Sequence, residues 1–362
     1  MRIEIYQEAN AIRTNAKGNR YSFILFTICF LLYAFVFTIP VYAAGEIWAW
    51  GAGQPGQSGD HDYGQCIVPE PNTGFTAIAA GGISSLGLKQ DGSIVAWGNN
   101  CNVPSPNTGF RAIAASESHS LGLKQDGSIV AWGDNYYGEC NVPSPNAGFT
   151  AIAAGGGHSL GLKTDGSIVA WGYNGNGECN VPSPNTDFKA IACMGASFGL
   201  KQDGSIVAWG PNGDGECNVP SPNTGFTAIA AGWYHSLGLK ADGSIVAWGD
   251  NYEGDCNVPS PNTGFVAIAA GFRHSLGVKQ DGSVVAWGLN GSGQCNVPSP
   301  NTGFVAVAAG EHHSLGLKGC LYNLAGDLNN DCKVDMLDFA ITASNWLIDC
   351  FEDSSNPACV HK

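Results

Sequence analysis

Downstream of about residue 45, short apolar runs alternate with small polar turns on one recurring pattern. A run of the form F-x-A-I-A-A-G starts at Phe75, Phe110, Phe149, Phe188, Phe226, Phe265 and Phe304, at spacings of 35, 39, 39, 38, 39 and 39 residues. A version of His-Ser-Leu-Gly-Leu-Lys follows, then Asp-Gly in all but the last copy, then Ser-Ile-Val-Ala-Trp-Gly. Strict alternation predicts strands: in this last run Ile94 and Ala96 face one side, and Val95 and Trp97 the other. The Leu-Gly-Leu-Lys and Ser-Ile-Val-Ala-Trp runs form a hairpin with Asp-Gly at its tip, where both residues can take positive φ. Both faces of each small sheet are apolar, so each must be covered on both sides. Sheets stacked radially as blades provide that cover.

The two ends of the repeat region complement each other. It opens with Glu-Ile-Trp-Ala-Trp-Gly, the second half of a unit, and ends at Lys318 with a first half. A ring explains the split, because the N-terminal strand then completes the last blade. The expectation is an all-β, seven-bladed β-propeller closed by its own termini over residues 44–318. The combined pattern A-A-G-x-x-H-S-L-G-L-K-x-D-G-S-I-V-A-W-G-x-N-x-x-G-E/Q-C resembles the regulator-of-chromosome-condensation repeat over about residues 46–318. That resemblance implies a seven-bladed propeller that binds proteins. The family ranges from nuclear nucleotide-exchange factors to secreted bacterial proteins, including a β-lactamase inhibitor.

Three repeated residue types raise the question of chemistry. Gly157-His158-Ser159-Leu160-Gly161 fits the G-x-S-x-G pattern of a nucleophilic serine. That nucleophile needs a strand, a sharp turn and a helix, whereas Ser159 opens a strand leading into a hairpin. It also aligns with Ser120, Ser236, Ser275 and Ser314, ahead of which Gly157 has no counterpart, so the first glycine reads as incidental and Ser159 as structural. The histidines His119, His158, His235, His274 and His313 recur on successive blades, too far apart to share one metal ion. They are expected to bond the backbone of a neighbouring blade. Cys66, Cys101, Cys140, Cys179, Cys217, Cys256 and Cys295 follow the Trp-Gly loops, and with Cys193 are expected to be buried thiols acting as small hydrophobes.

Comparison of the copies separates fixed positions from free ones. The Asp-Gly turn and the Asn-Val-Pro-Ser-Pro-Asn-Thr-Gly connection lie on one face and barely change. The turn within A-A-G-x-x-H-S and the loop after Trp-Gly lie on the opposite face and vary. The variants are Trp233-Tyr234, Phe272-Arg273 and Glu311-His312 in the turns, with Tyr136-Tyr137, Tyr173 and Tyr252 in the loops. Aromatic residues and arginine anchor interfaces, so this face is the candidate site for an extracellular protein partner, or for a glycan stacked on the rings. Acidic and histidine side chains on it (Asp60, His61, Asp62, Asp214, Glu253 and Glu311) fall on different blades, without a catalytic constellation. No catalytic residue is therefore assigned. The alternatives are a polysaccharide-associated hydrolase or lyase with an unrecognised site, and a purely structural surface repeat.

The flanks carry targeting and attachment signals. Residues 1–43 read as a signal peptide: Arg13, Lys17 and Arg20 precede a long apolar run, and Val41 and Ala43 occupy the small-residue positions of a cleavage site. No later segment is apolar enough to span a membrane. The expected location is secreted or cell-surface. Removing the segment changes the balance to 12 basic and 28 acidic residues, or −16, which argues against nucleic-acid partners.

In residues 319–362, Asp327, Asn329, Asp331, Asp335 and Asp338 take positions 1, 3, 5, 9 and 12 of a calcium loop, with the Lys333 carbonyl at position 7. Met336, Phe339, Ala340, Ala343, Trp346 and Leu347 then recur at helical spacing. This small α-helical module resembles one half of a type I dockerin, which implies bound Ca2+ and a cohesin-like partner. It departs from that family in having one loop-helix copy, and Cys332 at the sixth-position glycine. Cys320, Cys332, Cys350 and Cys359 are expected to form two disulfides, Cys332 with Cys350 among three possible connectivities.

Overall fold

The computed structural model describes residues 43–56, 61–99 and 102–320. The expected signal peptide, the calcium ligands Asp327, Asn329, Asp331, Lys333, Asp335 and Asp338, and the pairing of Cys332 with Cys350 lie outside the described residues, as do Asp60 and Cys101. The described chain is all β, with strands β1 (Ala43–Gly51), β2 (Phe75–Ala80), β3 (Ser84–Lys89), β4 (Ile94–Gly98), β5 (Phe110–Ala115), β6 (His119–Lys124) and β7 (Ile129–Gly133). The pattern continues through β8 (Phe149–Ala154), β9 (His158–Lys163), β10 (Ile168–Gly172), β11 (Phe188–Cys193), β12 (Ser197–Lys201), β13 (Ile206–Trp209) and β14 (Phe226–Ala231). It ends with β15 (His235–Lys240), β16 (Ile245–Gly249), β17 (Phe265–Ala270), β18 (His274–Lys279), β19 (Val284–Gly288), β20 (Phe304–Ala309) and β21 (His313–Cys320). None of the described residues is helical.

Each repeat folds into one antiparallel, three-stranded blade, such as β5-β6-β7 or β14-β15-β16. The last blade draws its third strand from the other end of the chain. β1 pairs antiparallel with β21, setting Trp50 opposite Ser314 and Gly51 opposite His313. That is the register of β4 on β3, where Trp97 faces Ser85 and Gly98 faces Ser84. The first strands β2, β5, β8, β11, β14, β17 and β20 touch in sequence, and β20 touches β2 again, so they line a central axis.

The core lies between blades rather than within them. Leu86, Leu88 and Ile94 of one blade pack on Phe110, Ala115 and Trp132 of the next. At the closure, Ile47, Leu315 and Leu317 pack on Phe75, Ala80 and Trp97. The apolar character of both faces of Ser-Ile-Val-Ala-Trp follows from this arrangement, since each face of a blade packs against a neighbouring blade. At roughly 25 cal/mol per Å2 of apolar surface, stacking neighbours is what makes such short strands stable.

The hairpin tip differs from the expected one. Gly92 N–H donates to the Lys89 carbonyl at 3.0 Å, and of the two turn residues only Gly92 has positive φ, at 78°. This is the longer hairpin loop that ends on a left-handed glycine, rather than a two-residue turn with both residues left-handed. Asp91 acts as a cap, its Oδ1 accepting from Ser93 N–H at 2.9 Å and from the Ser93 hydroxyl at 2.6 Å.

Hydrogen bonds also explain why the Asp-Gly face is constant. The Asn107 side chain reads the backbone of Ile94 in both directions, accepting from its N–H and donating to its carbonyl at 2.8 Å each. The same pair of bonds recurs from Asn72 on Ile47 through Asn301 on Val284. Lys89 Nζ lies 3.7 Å from the centre of the Phe75 ring and donates to the Pro71 carbonyl. These positions are fixed by the scaffold, which leaves variation to the other face.

Candidate functional site: the variable face and its axial mouth

The repeated histidines and serines prove to be an inter-blade lattice. His119 Nε2 lies 2.8 Å from Ser159 Oγ on the next blade, and the pairs His158–Ser197, His235–Ser275, His274–Ser314 and His313–Ser85 repeat the contact at 2.8–2.9 Å. Each histidine reaches the neighbouring blade, but through a serine hydroxyl rather than the expected backbone group. Ser159 donates its single proton to the Glu139 carbonyl at 2.9 Å, so the histidine must be the donor at Nε2. The same carbonyl accepts from Trp171 Nε1 at 2.8 Å. Burial holds these imidazoles neutral, pushing four of them down to about 4 and His274 to about 3. Ser159 is fully buried and fully bonded, with no route to a substrate.

The cysteines also depart from expectation. Among the described repeat cysteines, only Cys66 and Cys193 are buried, whereas Cys140, Cys179, Cys217, Cys256 and Cys295 are half-buried free thiols. The Cys140 thiol donates to the Asp134 carbonyl at 3.0 Å, and Cys217 and Cys256 repeat the bond at 3.0 and 3.1 Å. Desolvation, then the adjacent Glu139 carboxylate, pushes Cys140 up to about 11. These thiols are structural donors, not nucleophiles. Among the described residues, no group of three or more His, Cys, Asp or Glu side chains is placed to hold a metal ion.

On the variable face, the two variable residues of each A-A-G-x-x-H-S turn have different roles. The first faces the axis: Gly82, Glu117, Trp233, Phe272 and Glu311, joined by Met194 from the shortened turn, ring a small depression with space for about one water. Backbone bonds tie these turns together, with Trp233 N–H donating to the Gly271 carbonyl and Phe272 N–H to Gly310, each at 3.2 Å. The second variable residue lies outside the first. Tyr234 packs edge-on against Phe272 with ring centres 5.4 Å apart, and the Arg273 guanidinium covers Tyr234 at 4.2 Å. Arg273 is pinned by Asp250 at 2.5 Å. Both partners of that pair remain partly exposed, so it contributes order more than stability.

The structure divides the expected aromatic sector into two clusters. Trp233, Tyr234, Phe272 and His312 form a chain of ring contacts at 5.4–6.5 Å around the mouth. Tyr136, Tyr137 and Tyr173 form a second, with 4.8 Å between successive rings. The two approach each other over the turn Gly155-Gly156-Gly157. A Cβ on Gly156 would lie 2.5 Å from the Trp233 ring, and one on Gly157 3.3 Å from Tyr137. Gly157 also has φ +140°, so it is required there rather than incidental. Tyr252 stands apart, 84% exposed and without a ring contact among the described residues.

Two groupings were not apparent from residue spacing. His61, expected to be remote, stacks on His312 at 4.0 Å, and His312 pairs with Glu311 at 3.4 Å. Hydrogen bonding to His312, then the positive potential of His312, His61 and His313, holds Glu311 below the usual carboxylate range despite its partial burial. The second grouping is Asp255, which stands where the other copies have Glu or Gln except for Asn100. Glu139 and Glu216 reach back to accept from the N–H of Tyr137 and Asp214 at 2.8 and 2.9 Å. Asp255, one methylene shorter, points to His235 instead, with Oδ2 3.3 Å from Nδ1 in full burial. Desolvation pushes this carboxyl up to about 6.

Comparison with known proteins bears on the fold. The profile of the Regulator of chromosome condensation (RCC1) repeat matches residues 110–139, 149–178, 226–255 and 265–294. No curated protein matches the sequence. Among solved structures, Prp20p from Saccharomyces cerevisiae superimposes with a TM-score of 0.65 at 19% identity, over 85% of this chain and 96% of its own. Human WBSCR16 gives 0.58 at 15% identity, over 77% of this chain and 100% of its own. The ectodomain of the Physcomitrella patens receptor kinase CR4 gives 0.56 at 23% identity, over 67% of this chain and 69% of its own. Four of the repeats thus match the RCC1 repeat profile, in a chain folded as an RCC1-type β-propeller.

Proposed function

We propose that this protein is an exported, non-enzymatic binding scaffold: a seven-bladed propeller, closed by strands from both ends of the chain, that engages an extracellular partner through its variable face. The observation that carries the reading is the ordered, half-exposed cluster of Trp233, Tyr234 and Phe272 with Arg273 locked over Tyr234. Rigid aromatic side chains held by an ion pair lose little entropy on binding, which is how interface anchors gain affinity. A protein partner is favoured over a glycan, because these rings meet edge-on and tilted around a mouth instead of offering one flat platform. Prp20p, of similar fold, is described with binding properties to Gsp1p and histones.

The same proposal covers the chain ends. The N-terminal 43 residues direct export to the cell surface or beyond. The C-terminal module binds Ca2+ through Asp327, Asn329, Asp331, Lys333, Asp335 and Asp338 and attaches the propeller to a cohesin-like partner.

Capture on the immobilised full chain, from extracellular proteins and polysaccharides, tests the binding reading. A Trp233→Ala/Phe272→Ala/Arg273→Ala variant should lose the captured partner by well over tenfold, about 1.4 kcal/mol or more. Equal capture by the two proteins contradicts it.

A further inference from the structure

The Trp-Gly loop of the first blade is cut short. Two residues separate Gly98 from Cys101, where six separate Gly133 from Cys140 and Gly172 from Cys179. Elsewhere this loop packs beside the next blade: a Cβ on Gly98, Gly172 or Gly288 would meet Gln65 Cβ, Glu139 Cα or Asp255 Cα at 3.1–3.2 Å. At Gly133 the closest described atoms are those of Ser118 and His119, in its own blade. The repeated histidine is missing at the same place. Ser84 stands where five copies have histidine, so Ser120 lacks the imidazole donor that Ser159 receives from His119. Where the two losses coincide, a cleft of about 480 Å3 opens between the first and second blades. Small-molecule sites span roughly 300–1,000 Å3.

The cleft is polar. Ser84, Ser118, Ser120 and Asn99 line it, with the exposed carboxylates of Glu117 and Asp134 and no lysine or arginine. Its turns are held from behind by backbone bonds, Asn99 N–H to the Ile83 carbonyl at 3.0 Å and Asp134 N–H to Ser118 at 2.9 Å. A buried donor beside it is also left over. Trp97 and Trp171 each give their indole N–H to a loop carbonyl of the preceding blade at 2.8 Å. Trp132, cross-strand from Ser120, is buried with no such partner among the described residues. This donor and acceptor set selects by charge. An anion is opposed by Glu117 and Asp134, and a cation brings no acceptor for an orphaned N–H. A ligand hydroxyl does both, accepting from the serines or the indole and donating to the carboxylates.

We propose that the cleft between the first and second blades is a second binding site, which takes a neutral hexose ring between Ser84 and Ser120 with its hydroxyls donating to Glu117 and Asp134. It goes beyond the aromatic surface proposed for the protein partner and uses none of its rings.

Ligand-observed NMR titration of the full chain tests this with methyl glucoside, methyl galactoside and methyl mannoside, alongside glucuronate and N-acetyl-arginine amide. At least one hexoside should saturate a single site per chain, and the two charged probes should not. Ser84→His restores the repeated histidine and its bond to Ser120, so it should weaken hexoside binding by about tenfold or more with the melting temperature unchanged or raised. Asp134→Ala, at an exposed position, should weaken it by about tenfold through the lost acceptor, and carries the test if Ser84→His does not fold. Trp233→Ala/Phe272→Ala/Arg273→Ala should bind the hexoside as wild type does. Competition by a neutral polysaccharide of that hexose, or by a glycopeptide bearing it, then shows which of the two presents the ring. No saturable hexoside, tighter binding of glucuronate or of the arginine amide, loss of the hexoside in the triple alanine variant, or an affinity unchanged by Ser84→His and Asp134→Ala overturns the assignment.

Discussion

Replacing Ser159 with alanine separates a structural serine from a nucleophile, and the structure sets the size of the effect. The hydroxyl donates to the Glu139 carbonyl at 2.9 Å and accepts from His119 Nε2 at 2.8 Å, with no exposure to solvent. After substitution, the Glu139 carbonyl keeps its bond from Trp171. The His119 Nε2–H, by contrast, is left buried with no acceptor. An orphaned buried donor costs about 1–3 kcal/mol, and at this chain length each kcal/mol lowers the midpoint by roughly 2–4 °C. Urea unfolding of wild type, Ser159→Ala, His119→Ala and the double variant measures this. Ser159→Ala should be less harmful once His119 is absent, by about 1 kcal/mol, because the orphaned donor is gone. Stability of Ser159→Ala within about 0.5 kcal/mol of wild type, or strictly additive losses, would refute the inter-blade lattice.

Three further outcomes are expected. Five histidines have folded pKa values pushed down from 6.5 to about 3–4, so the unfolded chain takes up protons first as pH falls. Stability should hold above pH 6.5 and drop between about 6.5 and 4, each histidine contributing on the order of 3 kcal/mol to the pH dependence, seen as a falling melting temperature. Asp255 acts in the opposite sense: its carboxyl, raised to about 6, favours the folded state when protonated and costs stability as pH rises from about 4 to 6. Asp255→Asn should therefore be more stable than wild type at pH 8, by about 1–3 kcal/mol in urea titrations, with the advantage fading below pH 4. Calorimetry of the full chain should detect one Ca2+ site, lost in Asp327→Asn/Asp331→Asn; the same heat from both proteins counts against the loop.

The repeating strands and their closure were legible because propeller blades impose local rules. Phe75, Trp97 and their copies recur at fixed positions since each is buried against the next blade. The split unit pointed to the pairing of β1 with β21, because an unpaired strand edge at Trp50 would otherwise face solvent. What spacing could not convey were contacts between turns far apart in sequence. His61 meets His312 only because the ring closes, and Glu117 joins Glu311 across Gly82 only at the axis. The histidine partner was misread for a related reason, since the serine that accepts its proton sits in the same tetrapeptide of the next copy, 40 residues away in the case of His119 and Ser159.

Hydrogen exchange on the full chain bound to its captured partner addresses the central claim most directly. Protection should appear in the axial turns at 116–118, 232–234, 271–273 and 310–312, and in the loop bearing Tyr136 and Tyr137. The Asp-Gly turns at 91–92, 126–127 and 242–243 should exchange as in the free protein. Protection confined to those Asp-Gly turns, with the axial turns unchanged, would contradict the account.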